Sequence, residues 1–87
     1  MKFNDLVFKP ERHGGVQAIV VFPNGYGASI ICHPLSYGGP KGLYEIAVLY
    51  GGAITYDTPV TSDVLGYLSK KDVEKTLADI EALPTKK

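Results

Sequence analysis

The chain has 87 residues, of which 45% are hydrophobic and 21% charged, with nine basic side chains balanced by nine acidic ones. That length makes one domain, residues 1–87, and that composition belongs to a folded protein rather than a disordered one. Zero net charge gives no electrostatic footprint for DNA or RNA, and no anionic surface of the kind that mimics nucleic acid.

Phe3 to Phe8 alternates weakly and reads as a short first strand, and Pro10 to Gly15 as a turn. Val16 to Phe22 carries the strongest strand signal, being rich in β-branched residues. Pro23-Asn24-Gly25 then predicts a type I turn with glycine at the left-handed bulge position. This register sets Phe22 against Tyr26, Val20 against Ala28, Ala18 against Ile30 and Val16 against Cys32, all on one apolar face. The other face carries Gln17, Ile19, Val21, Ser29, Ile31 and His33. A two-residue Asn-Gly loop would oppose Gln17 to Cys32 and Val20 to Ser29, so the hydrophobic pattern selects the bulged turn.

Pro34 to Gly42 is a loop with two prolines and three glycines. Leu43 to Tyr50 is the next strand, and Gly51-Gly52 suits a two-residue hairpin pairing Leu49 with Ile54 and Ala47 with Tyr56. Pattern alone leaves open which face of this hairpin is core; Tyr56 is the first tyrosine expected there. Thr58-Pro59 ends the strand, since proline has no ladder donor. Thr61 to Leu68 is ambiguous, with a short helical turn expected around Asp63. A final helix begins at Ser69, with Asp72 three residues on completing a capping-box pair, and it stops at Pro84. Val73, Leu77, Ile80 and Leu83 share its apolar face. The expected fold is α+β: an antiparallel sheet of four to five strands with one C-terminal helix packed on one face.

No motif in the chain specifies a reaction. Cys32 and His33 are neighbours on a strand, so they point to opposite faces and make no dyad; Cys32 reads as a small buried hydrophobe. His13, His33 and Cys32 lack metal-ligand spacing, and neither a metal nor another cofactor is expected. Glu45, within an apolar strand, needs a partner if its face is buried; Lys41, Lys9 or a tyrosine hydroxyl would serve. The single cysteine fits a reducing compartment, and no apolar run reaches membrane-spanning length or reads as a signal peptide, so no membrane partner is expected.

The candidate binding site is the Gly-rich loop: Tyr37, Gly38, Gly39, Lys41 and Tyr44, with Arg12 and His13 beside it if the hairpins stack edge to edge. The loop fails the phosphate-loop template and leads into a strand rather than a helix, but a nest of backbone amides for a small anion stays open. Tyr37 and Tyr44 supply aromatic anchors and Lys41 the charge between them. Ile19, Val21 and Ile31 also need a cover that one helix does not give. A second copy in a homodimer is the simplest; the N-terminal segment is the alternative.

The strings GGVQAIVVFPNGYGAS, SYGGPKGLYEIAVLY and ITYDTPVTSDVLGYLSKKDVEK resemble a small uncharacterised protein family of tailed phages and prophages, over residues 14–83. The resemblance implies a phage origin, an accessory role in the host cytoplasm and no catalytic residue. By analogy with other small phage proteins, it points to a non-enzymatic inhibitor or adaptor acting on a host protein or defence complex. The alternative is a protein that sequesters a nucleotide signal through the Gly-rich loop, and a third reading is a small enzyme using Glu45.

Overall fold

The computed structural model describes residues 1–12, 14–61 and 63–85. In chain order the elements are a 3-10 turn at Phe3–Asp5, β1 (Lys9–Glu11), β2 (Gly15–Val21), β3 (Tyr26–Cys32), a second 3-10 turn at Gly39–Lys41, β4 (Tyr44–Tyr50), β5 (Ala53–Ile54), β6 (Leu65–Leu68) and α1 (Lys70–Glu81). The sheet is antiparallel throughout in the order β1-β2-β3-β4-β5, and β6 also pairs with β4. With α1 packed on one face, the architecture is α+β as expected, with two strands that were not anticipated, β1 and β6, bringing the count to six.

The β2–β3 hairpin has the register that its hydrophobic pattern demands. Val16 lies opposite Cys32, Ala18 opposite Ile30 and Val20 opposite Ala28. The turn closes through Gly25 N donating to Phe22 O at 3.0 Å, and Phe22 N to Tyr26 O at 2.7 Å. Gly25 takes φ 88°, the left-handed position that a residue with a Cβ resists. Asn24 does more than turn the chain. Its amide lies 2.9–3.1 Å from the carbonyl oxygens of Ile80, Glu81 and Leu83, while its Oδ1 accepts from Tyr26 N. One side chain thus satisfies the orphan carbonyls at the C-terminal end of α1 and fixes the hairpin tip to the helix.

Ser69 and Asp72 form the expected reciprocal capping box at the start of α1. Val73, Leu77 and Ile80 are fully buried against Ala18, Phe22, Tyr26, Ala28, Ile30, Ile46 and Val48. This answers which face of β4 meets the core: Ile46 and Val48 point to the helix, as do half-buried Tyr44 and Tyr50. We call this the inner face, and the one carrying Ile19, Val21 and Glu45 the outer face.

Four expectations are corrected. Phe3 to Phe8 is not a strand: Phe3–Asp5 forms a 3-10 turn, and the first strand is Lys9–Glu11, which runs into the segment read as a turn. The period-2 signal misled because Phe3, Leu6 and Phe8 all turn inward, onto the core and Tyr44, and Phe3 N donates to the Glu74 carboxylate. The second hairpin pairs Leu49 with Ile54 but stops there, so Ala47 has no partner in Tyr56. Tyr56 itself is 54% exposed, not core. The fourth concerns residues 61–68, where Leu65–Leu68 is a strand that takes over the edge of β4 vacated by β5. Gly66 and the short apolar run had masked its strand pattern.

Candidate functional site

The loop from His33 to Leu43 is a compact, internally bonded unit. Ser36 Oγ donates to His33 O and accepts from His33 N, at 2.9 and 3.0 Å. Leu35 N donates to His33 Nδ1, and Gly39 N, Lys41 N, Gly42 N and Leu43 N all donate to carbonyls within the loop. Tyr37 N donates to Glu45 Oε1 at 2.9 Å. The partner that Glu45 required is therefore a backbone amide, not Lys41, Lys9 or a phenol. With these amides occupied and a carboxylate on Tyr37 N, the loop has no nest of free donors for an anion at those positions.

Gly38 and Gly39 are where the loop packs most closely. Gly38 is buried at φ 86°, and a Cβ there would come within 2.9 Å of Tyr67 Cα. A Cβ on Gly39 would overlap the His33 carbonyl. Gly38 is thus needed to seat the loop against the β6 strand, and Gly39 to let the loop close on His33 and Ser36.

On the β6 side, Tyr67 N donates to Tyr37 O at 3.1 Å. β6 pairs Leu68 with Tyr44 and Leu65 with Ile46, so Gly66 and Tyr67 together oppose Glu45 in a β-bulge. Tyr67 has φ 57°, the one described residue other than glycine at positive φ. A tyrosine there costs about 1–2 kcal/mol of backbone strain, while glycine sits one position earlier. That glycine is spoken for: a Cβ on Gly66 would collide with Tyr37 Cβ. The bulge therefore has glycine where the loop presses and tyrosine where the backbone is strained.

The side chains this unit presents are large and apolar. Leu35, Tyr37 and Tyr67 are 77%, 60% and 60% exposed, with Lys41 exposed nearby on the second 3-10 turn. Of the residues singled out from sequence, the structure brings together Tyr37, Gly38, Gly39 and Lys41. It separates Tyr44, which faces inward in an aromatic cluster with Phe3 and Phe8, ring centroids 5.1 and 5.7 Å away. Burial pushes the Tyr44 phenol above its usual range, and the Cys32 thiol adds to the shift. Cys32, half-buried rather than buried, directs its Sγ toward Gly39 O at 3.8 Å. Arg12 is exposed in the β1–β2 turn, at the same end of the sheet as the loop, since Gly15 abuts His33 across the hairpin. His13 lies outside the described residues.

Leu35 and Tyr67 were missed by sequence reasoning. A glycine inside a weak apolar run, Leu65-Gly66-Tyr67-Leu68, is a bulge signal and is the feature that points to Tyr67. Nothing comparable marks Leu35. Among the described residues no group of three or more His, Cys, Asp or Glu is placed to hold a metal ion. No described helix is long and apolar enough to cross a membrane. Comparison with protein-family models, with curated proteins and with solved structures found no match.

Proposed function

We propose that the protein is a non-enzymatic binding module that acts on a host protein, as an inhibitor or adaptor, through Leu35, Tyr37, Lys41 and Tyr67. The observation that carries this reading is the strained Tyr67 backbone next to a rigid, hydrogen-bonded loop. Strain of this kind persists where the surroundings over-determine it, and it concentrates at binding sites. Here it aims a tyrosine outward beside two further exposed apolar side chains. Tyrosine gives large contact area at low conformational cost, and a pre-bonded loop has little entropy left to lose on binding. The resemblance to phage and prophage proteins supplies the host partner and its cytoplasmic location. The nucleotide-sequestering alternative finds no observation in its favour, because the loop amides bond internally.

The test uses three baits in a host lysate: the unaltered chain, Tyr37→Ala/Lys41→Ala, and Val21→Ser as a surface control on the outer face. The partner is the protein kept by the first and third baits and lost from the second. With that protein purified, the double change weakens affinity by about thirtyfold or more, roughly 2 kcal/mol, and leaves thermal stability within about 1 kcal/mol. No captured protein depending on Tyr37 and Lys41, with the variant folded, overturns the proposal.

A further inference from the structure

We propose that the chain pairs with a second copy of itself across the outer face of the sheet, about a two-fold axis running parallel to the strands between β2 and β3. This inference uses none of Leu35, Tyr37, Lys41 and Tyr67, and shares with the loop only Glu45, which accepts from Tyr37 N. It begins from what is left uncovered. The helix and the N-terminal turn both lie on the inner side, where Phe3 and Leu6 join the core. On the outer face Ala47 and Leu49 are covered, each 8% exposed, whereas the β2 side is open. Val21 is 76% and Ile19 60% exposed, and Val7 and Ile54 are exposed beside them.

Both sheet edges are closed to strand addition. β1 carries Pro10 between Lys9 and Glu11, a proline with no donor flanked by two charges. The other edge is split between β5 and the bulged β6. Association through this sheet therefore uses the face and not an edge.

The face is complementary to itself. Its strand pairings set side chains in rows: Lys9, Gln17, Ile31 and Glu45 in one, Ile19, Ser29 and Ala47 in the next, Val21, Gly27, Leu49 and Ile54 in the last. In the last row Val21, 76% exposed, stands directly across from Gly27, which has no side chain. Around Gly27 the surface sinks into a notch of about 390 Å³ lined by Ile19, Val21, Leu49 and glycines. A two-fold axis between β2 and β3 exchanges the two strands, so each copy's Val21 enters the other copy's Gly27 notch. The same axis exchanges β1 with β4. It brings Lys9 of each copy over Glu45 of the other, opposite charges at both ends of one row. Two sheets packed at the usual spacing of about 10 Å leave room for that pair to meet. One axis thus satisfies the apolar and the charged contacts together. Three strands of seven residues and the three residues of β1 offer roughly 380 Å² per copy before side-chain relief, below the size of stable specific interfaces. The dimer is accordingly concentration-dependent.

Sedimentation and light scattering across a concentration series test this. The expected result is a mass that rises from 9.4 kDa toward twice that value at millimolar concentration. Val21→Lys, placed to bury a charge in the notch, stays monomeric, and Val21→Ser weakens association in the same direction without adding charge. Leu35→Lys, an equal change off the face, still dimerises. Lys9→Ala and Glu45→Gln each weaken the dimer several-fold, and the double variant is no weaker than the singles; Glu45→Gln retains the acceptor for Tyr37 N. A clean monomer at millimolar concentration, or a dimer unaffected by both Val21 changes, overturns the proposal. Strictly additive effects of Lys9→Ala and Glu45→Gln overturn the axis.

Discussion

The two faces of the β2–β3 hairpin are made from similar residues and meet opposite fates. Ala18, Ala28 and Ile30 vanish into the core beneath α1, while Ile19 and Val21, one position away, stand in solvent. Strand composition did not decide this, because both faces are rich in β-branched residues suited to a sheet. The helix decided it by having one apolar face to offer. A strand pattern therefore tells which residues travel together, and the neighbouring element tells which set is inside.

The largest expected effect sharpens that contrast. Leu77→Ala, which removes a fully buried side chain from the helix, lowers stability by about 2–5 kcal/mol. Val21→Ser on the outer face leaves it within about 0.5 kcal/mol in dilute solution. Denaturant midpoints measure both, and equal losses would erase the distinction between the faces. Next comes the tie between hairpin and helix. Asn24→Ala removes the donor to Ile80, Glu81 and Leu83 and costs about 1–3 kcal/mol. Amide exchange should show the last turn of α1 opening first.

Two smaller effects follow. Tyr67→Gly removes backbone strain and raises stability by about 1 kcal/mol, while partner affinity falls. A gain in stability with undiminished affinity would make the bulge a structural accident rather than part of the site. Titration of the capping box is the smallest. Hydrogen bonds from the Ser69 backbone and hydroxyl hold the Asp72 carboxyl below its ordinary range. Its contribution is complete above the unfolded-state value and disappears as pH falls through the lower folded-state value, below about pH 4. Asp72→Asn removes that part of the acid-side slope. Tyr44 works in the opposite sense: its raised phenol favours folding at neutral pH, a contribution lost as pH climbs through its elevated value on the alkaline side.

Legibility followed the range of the interactions. The hairpin register, the bulged turn at Gly25 and the Ser69 cap were readable because each is set by residues a few positions apart. β1 and β6 were not, since Lys9–Glu11 and Leu65–Leu68 are strands only by virtue of the partner beside them. The Gly-rich loop was half legible. Tyr37 and Lys41, singled out by composition, are exposed on the loop, but Tyr44 was assigned to the wrong side because its strand's inner face had not been identified. The strained Tyr67 came from the bulge opposite Glu45, which depends on a pairing more than twenty residues apart in sequence.

The Asn24 contact also bears on the order in which the molecule assembles. It joins residues 56 to 59 positions apart in the chain, and it is available only once both the hairpin tip and the end of α1 have formed. Local hairpin closure is fast, whereas docking across so long a segment waits on loop-closure entropy. The Asn24 contacts are therefore among the last to form, and removing them should accelerate unfolding while leaving the refolding rate almost unchanged. The asparagine that looks like ordinary turn chemistry would then act as a latch on the lifetime of the native state.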